Sequence, residues 1–252
     1  GPQGRADEKD GNAYTAADHY QAWVAYFNEY FTERAKKGFF LEVASPGYMG
    51  VTVSYLTDIF DLCRDETLSK KAATFLDAVW ADWAVDQLNG VRGGAKTRVS
   101  DGSRRDDAMY KFARFYFGGE GSAKTHFFAQ LLSDYKLKPI IWDIALDREG
   151  LGEFAYVSRK PGEEEGTWPR PLGAERTMLC DTESRLLRYS WVTPDYILGC
   201  QMDHPGAIHS HLSNQARWQG ITFKGEKSPR VYPTDVVRDE NGKYKKSKTK
   251  GY

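Results

Sequence analysis

The hydrophobic period of this chain changes once, near residue 147, and that change limits the fold more than any other feature. Before it, apolar residues recur at three- and four-residue intervals. Tyr20, Trp23, Phe27, Tyr30 and Phe31 form one stripe, and Leu68, Ala72, Phe75, Leu76, Val79, Trp80 and Trp83 form another. Such spacing puts one face of a helix against a core. After it come short runs rich in Tyr, Val, Ile and Leu, at Glu153–Arg159, Arg185–Val192 and Tyr196–Met202, broken by Gly, Pro and Asp. These read as strands. The pattern predicts an α+β chain, with an antiparallel layer of helical hairpins followed by an antiparallel β-sheet or sandwich. Three parts follow: a flexible lead-in over 1–15, a helical domain over 16–147 and a β-rich domain over 148–252.

Helix limits can be read from their punctuation. The first helix begins at Ala16 and stops at Gly38; the second runs from about Pro46 to Cys63, with Ser45 as its cap. The third covers about 66–89 and is stopped by Asn89-Gly90, and the fourth covers about 106–117. A fifth spans about 123–134 and a sixth about 139–146. In the β-rich part Thr193-Pro194-Asp195 marks a turn, and Arg217–Phe223 and Arg230–Tyr232 are further strands. Asn241-Gly242 signals a hairpin close to the last residue, so its second arm reads as cut short. With Gly1-Pro2 resembling a protease-cleavage scar, the chain reads as a piece of something longer, associating with the remainder of that larger chain.

Charge excludes several function classes. Lys plus Arg and Asp plus Glu are equal at 35 each, which argues against a nucleic-acid or membrane-surface binder relying on basic excess. No run approaches the roughly 18 apolar residues needed to cross a bilayer, so membrane insertion is not expected. Cys63 reads as a small buried hydrophobe, whereas Cys180 and Cys200 lie in strand-like runs and could pair if those strands are neighbours. The 7 Trp, 15 Tyr and 13 Phe read mostly as a core built from rings, but a surplus on loops suits ligands with flat apolar faces, above all sugars.

Chain direction gathers the candidate site. Helices joined by short connections alternate in direction. The loops 39–47, 90–105 and 135–138 therefore share one end of the layer. That end holds Glu42, Tyr48, Arg92, Lys96, Arg98, Tyr135 and Lys138, with Gly90, Gly93 and Gly94 allowing close backbone approach. Cations around a Gly-rich loop call for an anion, although the phosphate-loop spacing is absent. In the β-rich part Asn214, Arg217 and Trp218 resemble sugar contacts. His204, His209 and His211 are candidate metal ligands beside Asp203, but without a fourth ligand at a recognisable spacing they read as surface histidines and no cofactor is expected.

The helical hairpins with polar loops at one end, followed by antiparallel β structure, resemble the (α/α) toroid plus β-sandwich enzymes: polysaccharide lyases of the heparinase and chondroitinase kind, and toroid glycoside hydrolases. Six helices amount to a partial toroid. The resemblance is architectural and transfers no catalytic residue. It implies an enzyme acting on a polysaccharide or oligosaccharide, secreted or periplasmic, with lyase cleavage of an anionic glycan as the leading reaction. In that reading Arg92 or Arg98 neutralises a uronate, and Tyr48 or a histidine moves the proton. A hydrolase would instead pair Glu42 with Asp101, Asp106 or Asp107. Two readings without such cleavage remain: a carbohydrate-binding or scaffold fragment, and an intracellular protein whose arginine loop holds a phosphorylated metabolite.

Overall fold

The computed structural model describes residues 5–6, 11–36, 39, 45, 48–96, 109–118, 128–158, 187–202, 219–225, 230–231 and 236–246. A two-residue pairing of β1 (Arg5–Ala6) with β2 (Ala13–Tyr14) comes first. Helix α1 (Ala16–Lys36) starts at Thr15, whose amide and hydroxyl donate to the Asp18 carboxylate while its hydroxyl accepts from the Asp18 amide. This reciprocal arrangement occupies donors that a helix start leaves open. Helix α2 (Tyr48–Leu62) is preceded by Ser45, whose Oγ lies 3.5 Å from the Tyr48 amide, where the sequence places the cap.

The centre of the helical part is α3 (Glu66–Val85), capped by Asp65, which accepts from the Leu68 amide at 2.7 Å. Its apolar stripe from Leu68 to Ala84 is buried, as the spacing predicts. Neighbours cover it from several sides. Phe31 of α1 packs on Phe75 with ring centroids 5.0 Å apart, and the Ser69 hydroxyl donates to the Phe60 carbonyl of α2 at 2.7 Å. α3 ends at Val85, four residues before the expected stop. Asp86 leads instead into a tight hairpin, β3 (Gln87–Leu88) paired with β4 (Val91–Arg92). Asn89 and Gly90 turn it with φ of 51° and 81°, the left-handed pair that two-residue hairpins require.

Four shorter helices follow: α4 (Met109–Phe117), α5 (Phe128–Leu132), α6 (Pro139–Leu146) and α7 (Arg148–Leu151). α6 does not alternate with α3. Tyr135, just before it, donates to Asp77 at 2.8 Å, and Ala145, near its end, accepts from Gln87 at 2.7 Å. Both partners advance by ten positions, so α6 runs parallel to α3.

After α7 the period becomes two. Strands β5 (Phe154–Val157), β6 (Leu187–Val192), β7 (Tyr196–Met202), β8 (Gly220–Phe223) and β9 (Arg230–Val231) form one antiparallel sheet in sequence order. The turn between β6 and β7 falls at Thr193–Asp195, where the Thr193 hydroxyl accepts from the amides of Asp195 and Tyr196. Register puts Arg188, Ser190 and Val192 on one face beside Ile197, Gly199 and Thr222, and all six are buried. That face lies on the β3–β4 hairpin through Leu88, Val192 and Ile197. Strands β10 (Val236–Arg238) and β11 (Tyr244–Lys246) form a separate hairpin, turned where Asn241-Gly242 signals it. The fold is therefore α+β, helices first and antiparallel sheet after. No described helix is long and apolar enough to cross a membrane.

Candidate functional site

The polar residues chosen from the sequence do not share one cleft. Tyr48 is half-exposed at the first turn of α2, and Lys138 is exposed just before α6. Tyr135 is buried, its hydroxyl held by Asp77; burial and that carboxylate push it far above the usual tyrosine value. Because α6 is parallel to α3 and meets Gln87 only at Ala145, Lys138 lies seven residues, or about 10 Å, from the Gln87–Arg92 end it was expected to share. Glu42, Arg98, Asn214, Arg217 and Trp218 lie outside the described residues, as do Asp101, Asp106, Asp107, His204, His209, His211 and Cys180. Cys200 is a free thiol. Among the described residues no group of three His, Cys, Asp or Glu side chains could hold a metal.

Arg92 and Lys96 are both buried, and Arg92 lies at the junction of helices and sheet. The anion that Arg92 requires is supplied within the fold. Its Nη1 lies 3.1 Å from Asp82 Oδ2 and 3.9 Å from Asp86 Oδ2. Arg188, reaching in from β6, places Nη2 2.7 Å from Asp82 Oδ1 and Nη1 3.5 Å from Asp86 Oδ2. Tyr156 of β5 also donates to Asp82. Burial raises the Asp82 carboxyl, but Arg188 and Arg92 outweigh it and hold the group below the usual carboxylate range. For Asp86 burial wins over the same two arginines, helped by the neighbouring Asp82 charge, and its carboxyl is raised. The junction thus joins Asp82, as the ionised acceptor, to two buried guanidinium groups, with Asp86 beside them.

The Gly-rich segment serves the same junction. A Cβ on Gly94 would lie 2.0 Å from Asp86 Oδ2, and one on Gly93 2.5 Å from the Ile197 Cβ. From the sheet side, a Cβ on Gly199 would lie 2.5 Å from the Gly94 Cα. These glycines let hairpin and sheet approach to backbone contact, which accounts for them through packing.

An open site exists elsewhere, on a face the sequence reading assigned to the core. α1 and α2 both pack on α3 and leave between them a groove of about 690 Å³. Tyr20, Trp23, Tyr26, Phe27 and Tyr30 line it from α1, and Tyr55 faces them from α2. Trp23 is 57% exposed and Tyr55 64%, so flat ring surface meets solvent. Trp23 stacks on Phe27 at 5.6 Å and Tyr26 on Tyr30 at 6.0 Å, which holds the rings in order. One end is pinned where the Tyr20 hydroxyl accepts from the amides of Arg64 and Asp65 at 3.0 Å each and lies 3.4 Å from Cys63 Sγ. Asp58 and Thr52 add polar groups to the lining. Rings of this kind can stack on an apolar ligand face while the Asp58 carboxylate and tyrosine hydroxyls bond its polar edge.

The signal for the groove was present in α2, whose sequence YMGVTVSYLTDIFDL is apolar on more than the single face that α3 can cover. The signal for the junction was the pair Asp82 and Asp86, two acids one turn apart inside an otherwise apolar stripe. Comparison with known proteins finds no matching family model, no matching curated protein and no matching solved structure.

Proposed function

We propose that this chain is a carbohydrate-active protein and that the groove between α1 and α2 holds a stretch of polysaccharide. The observation that supports this most is the exposure of Trp23 and Tyr55 on facing walls of an aromatic groove. Large aromatic rings are seldom left in solvent as a patch unless something covers them. Sugar rings suit them because one ring face carries mainly C–H bonds while hydroxyls radiate at the edge.

Cleavage is the less supported half of the reading. A lyase acting on an anionic glycan needs a cation free to meet the uronate, and the Arg92 charge is already matched by Asp82. Arg98 and Glu42, which would serve the lyase and hydrolase alternatives, fall outside the described residues. Binding is therefore the activity that the geometry favours. The test is an incubation with a panel of polysaccharides, followed by affinity electrophoresis for binding, ultraviolet absorbance for unsaturated uronate ends and a reducing-end assay. Retarded migration on at least one polysaccharide is expected. Absence of retardation across the panel would remove the proposal, and unsaturated ends would restore the lyase.

A further inference from the structure

We infer that the groove takes an uncharged glycan with flat C–H faces, as in β-linked glucose or mannose chains, and not a uronate. This rests on the reading that the groove binds carbohydrate and goes further by naming the substrate class. Three observations carry it. No Lys, Arg or His lines the groove among the described residues, and its one charged side chain is the carboxylate of Asp58. A uronate laid along these rings would set carboxylate against carboxylate with no cation between, the arrangement by which interfaces reject a wrong partner.

The two junction arginines that a uronate might have used are committed elsewhere. Arg92 and Arg188 sit in the buried junction with Asp82 and Asp86, on the far side of α3's C-terminal turn from Tyr20 and Cys63, which lie where α3 begins. The ring spacing also suits a chain, not a single sugar. Trp23 and Tyr30 are seven residues apart on α1, about 10 Å along the axis, enough to present rings to successive sugar units. Exposed rings at Trp23 and Tyr55 leave the groove accessible from solvent.

The test uses the protein with cellohexaose and a soluble glucomannan on one side, and oligogalacturonate and alginate oligomers on the other, by isothermal titration. The neutral ligands are expected to bind at least about tenfold more tightly than the uronates, a ratio set by one uncompensated like-charge contact. Asp58→Asn should narrow that ratio by strengthening uronate binding, a change that a merely structural role for Asp58 would not produce. Trp23→Ala, with unchanged circular dichroism, should weaken the neutral ligands about tenfold or more. Equal or tighter uronate binding by the unaltered protein would overturn the neutral class while leaving the carbohydrate reading in place. No binding of either class, with self-association or capture of an amphipathic helix that depends on Trp23, would overturn both.

Discussion

The two buried acids of the junction should respond very differently to the same substitution. Asp82→Asn removes the charge that receives Arg188 at 2.7 Å, Arg92 at 3.1 Å and the Tyr156 hydroxyl. Two buried guanidinium groups are left with Asp86, whose Oδ2 stands 3.5 Å from Arg188 and 3.9 Å from Arg92. Breaking a buried ion pair by deleting one partner costs about 3–5 kcal/mol. With a urea slope of about 3 kcal/mol/M for a chain of this size, the unfolding midpoint should fall by roughly 1–1.7 M. Asp86→Asn removes a carboxylate that burial already disfavours and that makes only the longer contacts, so its cost should stay below about 1 kcal/mol.

The pH dependence separates the two further. The Asp82 carboxyl is depressed in the fold, so its stabilisation is present above the unfolded carboxylate value of about 3.9 and is lost as pH falls through the lower folded value. Asp82→Asn should therefore flatten the acid limb of the stability profile. The Asp86 carboxyl is raised, so its ionisation works against the fold as pH climbs from about 3.9 through the folded value. The cost of Asp86→Asn should shrink, or change sign, from pH about 4 to pH about 8. Urea melts followed by circular dichroism at both pH values check this. Equal midpoints for the two variants, or a larger loss for Asp86→Asn, would refute the assignment of Asp82 as the acceptor that the junction depends on.

Gly94→Ala should destabilise by about 1–3 kcal/mol, because its Cβ meets the Asp86 carboxylate and the backbone beside Gly199 leaves little room to shift; thermal unfolding measures it. Asp65→Ala, which strips the α3 cap, should cost about 1 kcal/mol in the same assay. Tyr135→Phe should cost about 1 kcal/mol or more by leaving Asp77 without its buried donor while keeping the ring in place.

How much of this was legible depended on whether a signal was local. The period change, the α3 stripe, the Ser45 cap and the turn at Thr193–Asp195 are written in adjacent residues, and the structure has them where the sequence places them. Asn89-Gly90 was equally legible as a hairpin turn, yet next to a helix it reads as a stop, and the two-residue strands on either side are too short to show a period. The parallel course of α6 was not legible, because spacing within a helix carries no record of its direction relative to a distant neighbour. Arg92 looked free because its acids precede it on a helix and its companion Arg188 lies 106 residues beyond Asp82. The groove escaped for a related reason: spacing shows which residues share the stripe of Tyr20, Trp23 and Tyr30, but only packing shows how much of that stripe α3 covers.

The central claim is that facing rings on α1 and α2 bind glycan. It is tested most directly by affinity electrophoresis of Trp23→Ala, Tyr55→Ala and the double variant in gels containing a soluble β-linked glucan or glucomannan. Each single change should reduce retardation by about three- to tenfold in apparent affinity, and the double variant should migrate as it does without polysaccharide. Undiminished retardation of the double variant, with its fold intact by circular dichroism, would contradict the claim.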